Sequence, residues 1–247
     1  SQNELSAKGL LPKIISLARI FYIDLEQPQP LREQPQPYAT IDDTSSDDET
    51  SDRSPAAARS HSPDAKVTGE LDLALGRARR RWPETPAVLI TGTNGKSTVT
   101  AMLGHLLEHA GARPFVGGNL GVPLSTRLIE PPGAPPGALV LECSSYQLET
   151  LSPTPVDVAM VLNVSPDHLD RYDNLDHYAR TKGRIFCGLR AEGLALTYAP
   201  DPRTVSLVPA AWGGSHTAVG APHGPQLDPR GRLQVDDALT LPREALP

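Results

Sequence analysis

The sequence predicts an α/β fold, a mostly parallel sheet flanked by helices, and three observations predict it. Short apolar runs lie at 87–91 ("AVLIT"), 138–143 ("ALVLEC"), 156–163 ("VDVAMVLN") and 193–198 ("GLALTY"). Runs that do not alternate with polar residues suit strands buried on both faces. Helical patterns separate them, which is the order of a parallel sheet with crossover helices. A glycine-containing turn joins the first run to the first of these helices.

The elements follow in order. Residues 10–25, "LLPKIISLARIFYIDL", carry apolar positions at Leu10, Leu11, Ile14, Ile15, Leu17, Ala18, Phe21 and Tyr22. That spacing suits an amphipathic helix within 1–26, with Pro12 weakening its start. Residues 27–65 hold repeated Gln-Pro pairs and an acidic cluster from Asp42 to Asp52, with almost no large apolar residues. Such a segment cannot bury enough surface to offset its ordering entropy, so a disordered linker is expected. From 66 to 247 the composition is that of a folded domain. The basic run Arg77, Arg79, Arg80 and Arg81 reads as a solvated helix face. "KSTVTAMLGHLLEHAG" places Val99, Met102, Leu103, Leu106 and Leu107 on one helix face and stops at Gly111. Residues 174–189, "NLDHYARTKGRIFCGL", read as a second helix. The tail from Val208 is rich in Gly and Pro, with "GRLQVDD" as one edge strand.

Composition excludes several classes. A net charge of −6 argues against nucleic acid as a partner, because phosphate backbones need clustered Lys and Arg. Two cysteines without metal-ligand spacing argue against a disulfide framework or structural zinc. No apolar run reaches the length of a membrane span. The expectation is a cytoplasmic protein.

The stretch "TGTNGKST" (91–98) departs from the longer phosphate loop G-x-x-x-x-G-K-[ST], whose first glycine would fall on Ile90. Its context still fits phosphate: strand, glycine turn, helix. Backbone N–H groups of Gly92, Thr93, Asn94 and Gly95 and the positive helix end would face a nucleotide, ATP by expectation. Lys96 adds a mobile charge, and Ser97 or Thr98 a hydroxyl for Mg²⁺. Glu142 ends the next buried run, where ligands gather in open α/β sheets, and is placed to complete a Mg²⁺ site. Asn163, Asp167, His168, Asp170 and Arg171 follow a further strand.

Together, "TGTNGKST", "GGNLGVP" (117–123), "LECSSYQLET" (141–150), "NVSPDHLDRY" (163–172) and "YARTKGRIF" (178–186) resemble the ATP-dependent Mur ligases of peptidoglycan synthesis. The likeness spans about Val67 to Asp237. Within that family "ECSSYQLE" is most similar to members that add D-glutamate to UDP-N-acetylmuramoyl-L-alanine. The family's loop is the short form G-x-x-G-K-[ST], so Ile90 is a strand residue. The resemblance implies amide ligation: ATP phosphorylates a carboxylate, and the amine of D-glutamate displaces phosphate from the acyl phosphate. It implies that Lys96 contacts phosphates, that Ser97 and Glu142 hold one Mg²⁺, and that His168 and Lys182 serve a second, Lys182 as a carbamate. It gives Asn119, Ser144, Ser145 and Gln147 to the muramoyl-alanine end of the substrate. A monomer is expected.

These ligases have three domains, and the resemblance covers the middle one. Residues 1–65 lack the glycine pattern of a UDP-holding domain. The expectation for this polypeptide is therefore weak Mg²⁺-ATP binding with little or no ligation. Two alternatives are an ATP-binding remnant that works with a separate C-terminal chain, and a folylpolyglutamate-type ligase. "SSYQLE" speaks against the latter.

Overall fold

A computed structural model describes residues 67–131 and 133–219, and the backbone of three short strands beyond them. The helix expected in 1–26 and the linker expected at 27–65 lie outside the described residues.

The first element is α1 (Glu70–Arg81), which buries Leu71, Ala74, Leu75 and Ala78, the i, i+3, i+4, i+7 face of one helix. Strand β1 (Ala87–Thr91) follows, buried at all five positions. Then come α2 (Lys96–His109), β2 (Pro114–Gly118), α3 (Leu124–Ile129), β3 (Ala138–Glu142), α4 (Ser145–Glu149) and β4 (Val156–Val161). Helix α5 (Leu175–Gly183) leads through a 3₁₀ turn to β5 (Leu189–Tyr198), α6 (Pro202–Ser206) and β6 (Ser215–Val219). The six strands form one parallel sheet in the order β2-β3-β1-β4-β5-β6.

Successive strand residues point to opposite faces, and both faces are covered. Val88, Ile90, Val140, Val158 and Met160 pack under Val99, Leu103 and Leu107 of α2. Leu89, Leu139, Leu141, Ala159 and Val161 pack on the other face with Leu71 and Leu75 of α1 and Tyr178 of α5. Apolar runs without alternation are the sequence's record of this two-sided burial. Chain order reverses about β1: β2 lies beyond β3 on one side, and β4 lies on the other. The crevice at such a switch point, beyond the carboxyl ends of the strands, is where open α/β sheets bind ligands.

Several expectations need correction. Helix α5 stops at Gly183, and Arg184–Phe186 tighten into a 3₁₀ turn that buries Ile185 and Phe186. Arg184 anchors that turn by donating to the carbonyls of Leu148 and Leu151. Strand β5 starts at Leu189 rather than 193, with its register against β4 broken between Val156 and Val158. Strands β2 and β6 were not anticipated; β2 is only half-buried over its first three residues, and β6 emerges from the Gly/Pro-rich tail. "GRLQVDD" contributes β8 (Leu233–Gln234), the centre and not the edge of an antiparallel sheet with β7 (Gln226–Leu227) and β9 (Thr240–Leu241).

The basic run is not a uniformly solvated face. Arg77 and Arg80 are exposed, but Arg81 donates to the Leu128 carbonyl and Arg79 turns inward. Arg79 donates to the carbonyls of Pro155 and Thr85 and pairs with Asp157 at 2.6 Å, the two side chains being 8% and 12% exposed. Asp157 also accepts from the Ala87 N–H. The pair therefore ties α1 to the starts of β1 and β4.

Gly111 closes α2 as expected. It lies at φ 84°, with its N–H on the Glu108 carbonyl and the Ala112 N–H on that of Leu107. Those two bonds satisfy two of the helix's last carbonyls in a Schellman closure.

Candidate functional site

The chain turns from β1 into α2 over Gly92–Gly95. Gly95 sits at φ 79°, a conformation that costs any other residue strain, and this lets Lys96 open the helix. The Val99 N–H is the first to bond back, to the Gly95 carbonyl at 3.0 Å. Among the described residues, the N–H groups of Gly95, Lys96, Ser97 and Thr98 meet no protein acceptor. They form the donor cluster that helix N-termini offer to phosphate.

Asn163, just past β4, fixes the loop from the side. Its Oδ1 accepts from the N–H groups of Thr93 (3.1 Å) and Asn94 (2.9 Å), and its Nδ2 donates to the Asn94 carbonyl. Thr93 Oγ1 adds a reciprocal pair with the Ser165 backbone. Two of the donors expected to face a nucleotide are thus committed to Asn163, which leaves that work to the four at the helix end.

Glu142 lies level with Ile90 on one side and Gly118 on the other. Glu142 is 2% exposed, and each carboxylate oxygen accepts one hydrogen bond at 2.7 Å: Oε2 from Ser97 Oγ and Oε1 from Asn119 Nδ2. Of the two candidate hydroxyls, it is therefore Ser97, not Thr98, that meets Glu142. Gly118 permits the approach of Asn119. It has φ 99°, and a Cβ there would stand 2.4 Å from the Glu142 carbonyl oxygen.

Two lysines converge on the same loop. Lys96 Nζ donates to the Thr93 carbonyl and Lys182 Nζ to that of Gly92, both at 2.9 Å. Lys182 is 1% exposed and lies 4.5 Å over the ring of Tyr178, one helical turn back. Burial, and then repulsion from Lys96, lower its pKa from 10.5 to about 7. The unfolded chain therefore holds more protons than the folded one between about pH 7 and 10.5, so stability rises with pH across that window. The slope is at most about 1.4 kcal/mol per pH unit. Urea unfolding at pH 7, 8 and 9 should show the rise in the parent protein and a flatter profile in Lys182→Met. Parallel profiles would refute the assignment.

His168 adopts φ 51°, the one positive value at a non-glycine residue among the described residues. Its Nδ1 lies 3.1 Å from Tyr146 Oη, and its Nε2 lies 3.5 Å from Asp167 Oδ2. Its ring and Lys182 approach the same Tyr178 ring, with centroids 6.4 Å apart for His168. Arg171 covers the Tyr146 ring and makes a bidentate pair with Glu149, which also accepts from Tyr172 Oη. Arg171 holds the Glu149 carboxyl below its usual range.

The expected substrate group divides. Asn119 reaches the site through Glu142. Ser144 and Gln147 instead form a capping box for α4: Ser144 Oγ accepts from the Gln147 N–H, and Gln147 Oε1 accepts from the Ser144 N–H. Ser145 is buried. Sequence reasoning named Asn163 without a role and missed Tyr146 and Tyr178. The i, i+4 spacing of Tyr178 and Lys182 on one helix was the available signal.

Residues 90–218 match the model of the Mur ligase middle domain, more than half of the chain. The chain belongs to the Mur ligase family. Among curated relatives, this Mur ligase chain is 47% identical over 157 residues to the UDP-N-acetylmuramoylalanine–D-glutamate ligase of Anaeromyxobacter dehalogenans, covering 63% of the chain and 32% of the relative. It is 43% identical over 171 residues to the enzyme of that name from Methylococcus capsulatus, covering 68% and 34%. The chain thus spans about a third of the length of the curated relatives it matches. In fold it is similar to MurF from Acinetobacter baumannii (TM-score 0.54, 22% identity, 69% of this chain and 40% of that one). MurF from Thermotoga maritima in complex with ADP gives a TM-score of 0.53 at 24% identity, covering 70% and 44%. FolC from E. coli, in complex with DHPP and ADP, gives 0.53 at 15% identity, covering 74% and 54%. The parallel sheet flanked by helices is therefore the Mur ligase central fold.

Proposed function

We propose that this chain is the ATP-binding part of a ligase that joins D-glutamate to UDP-N-acetylmuramoyl-L-alanine through an acyl phosphate. The single observation that carries the reading is the junction of Ser97 with Glu142 at the mouth of the Lys96 loop. It places an anion and a hydroxyl beside four free N–H donors and a lysine. Relatives at 39–47% identity bear the name of that ligase, which favours D-glutamate over the folate-type alternative.

The donors at 95–98 and Lys96 would grip the phosphates, with Lys96 leaving its present acceptor, the Thr93 carbonyl. Asn163 would keep the loop in shape while they do so. The substrate carboxylate must approach a polyanion, and one such pair of charges repels by roughly 4 kcal/mol at 4 Å in an effective dielectric of 20. The carboxylate oxygen then attacks the γ-phosphorus as ADP leaves. The amine next attacks the acyl carbon, releasing phosphate and a proton. Asn119 would hold the muramoyl-alanine end, with Ser144, Ser145 and Gln147 helping to position it.

The donor set fits Mg²⁺. Among the described residues no cluster of three or more His, Cys, Asp or Glu could hold a metal, but magnesium commonly takes one or two carboxylates together with substrate phosphates. Ser97 and Glu142 would hold one ion, and His168 with a Lys182 carbamate a second. The ions would offset the charge of the transferring phosphoryl group. As an ammonium, Lys182 is no ligand. Held near neutrality, its amine can attack CO₂, forming an N–C bond and releasing one proton to leave an anionic carbamate.

The test is phosphate release from ATP by a protein carrying this chain. The reading predicts release that needs both UDP-N-acetylmuramoyl-L-alanine and D-glutamate. Equal release with a folate substrate and L-glutamate would overturn it.

A further inference from the structure

The far end of α2 carries two histidines, His105 and His109, that the nucleotide site does not use. Residues four apart on a helix are neighbours on one face. Here both are exposed, and their ring centroids lie 4.1 Å apart.

Their hydrogen bonding sets up a ligand pair. His109 Nδ1 lies 2.9 Å from the His105 carbonyl oxygen, which can only accept. Nδ1 therefore carries the hydrogen, and in the neutral ring the lone pair falls on Nε2. A ring held by Nδ1–H on a backbone carbonyl, with Nε2 free, is the usual state of a metal-binding histidine. The ring nitrogens of His105 make no hydrogen bond among the described residues. His109 also ends a 14-residue helix, whose carboxyl end attracts cations, with His105 one turn before it and Glu108 exposed beside it.

We propose that His105 and His109 form a two-imidazole site for a borderline divalent transition metal such as Ni²⁺, Cu²⁺ or Zn²⁺, with water completing the coordination. Two imidazole nitrogens without a carboxylate suit these ions, whereas Mg²⁺ favours a mostly oxygen shell. Nine and thirteen residues separate the pair from Lys96, about 14 and 20 Å along a helix. The site is therefore independent of the nucleotide loop and of the proposed ligase reading.

Calorimetric titration with NiCl₂ alone tests this on the parent chain, His105→Ala, His109→Ala, the double variant, and His177→Ala. The last removes a His–Asp pair at the same i, i+4 spacing, His177 with Asp173. Each single substitution at 105 or 109 should weaken nickel binding at least tenfold, while His177→Ala leaves it unchanged. Nickel should raise the melting temperature of the parent chain and of His177→Ala but not of the double variant. Both substituted residues are exposed, so circular dichroism should show the fold retained. Nickel affinity in the double variant equal to that of the parent would overturn the proposal. So would a parent chain that binds no nickel.

Discussion

Replacing Lys96 by alanine should weaken Mg²⁺-ATP binding by about 10- to 160-fold. A hydrogen bond to a charged group contributes roughly 1.5–3 kcal/mol, and 1.4 kcal/mol is a factor of ten. Lys96 gives up only the Thr93 carbonyl to make such contacts, a bond at 2.9 Å that a half-buried side chain exchanges readily. The loop itself should persist in the variant, because Asn163 and Ser165 hold it from outside. The substitution also removes the repulsion that helps depress Lys182. Lys182 should then titrate somewhat higher, still below its ordinary value because burial is the larger cause. Isothermal titration measures the first effect. An affinity within twofold of the parent would mean that Lys96 does not touch the phosphates.

The largest effect on stability is expected far from the loop. Arg79→Ala should cost about 3–5 kcal/mol, because it leaves Asp157 buried without its cation, and removing one partner of a buried pair has that order of effect. Arg190 approaches Asp157 at 3.4 Å but is 41% exposed, so it compensates poorly. The carbonyls of Thr85 and Pro155 lose a donor at the same time. Urea denaturation reads the difference directly. A loss under 1 kcal/mol would place the pair with solvent-screened surface bridges. Arg79→Met combined with Asp157→Leu should recover much of the loss, since apolar packing can replace a buried pair.

The same residues show where sequence reading stops. Strands β1, β3 and β4 were legible because burial on both faces erases alternation. Strand β2 was not, because "PFVGG" packs its first three residues only partly and ends in two glycines. Arg79 reads as part of a basic helix face until the fold brings Asp157, 78 residues on, beneath it. The phosphate loop was legible as strand, glycine turn and helix. Its pairing of Ser97 with Glu142 depends on β3 lying beside β1, which local pattern does not encode. Ser144 and Gln147 illustrate the opposite case. Serine followed three residues later by glutamine is a helix-start signature, and the structure uses the pair that way. His168 is singled out in the sequence by the family resemblance and by its place beside Asp167; its left-handed backbone and its contact with Tyr146 are products of the folded loop.

The central claim is that the Lys96 loop and Glu142 form one magnesium–nucleotide site. Titrating the chain with ATP in the presence and absence of Mg²⁺, beside Glu142→Gln, tests it most directly. Saturable binding should depend on Mg²⁺ in the parent chain and lose that dependence in Glu142→Gln, which keeps the shape of the side chain and removes its charge. ATP binding that is indifferent to Mg²⁺, or equally Mg²⁺-dependent in Glu142→Gln, would contradict it.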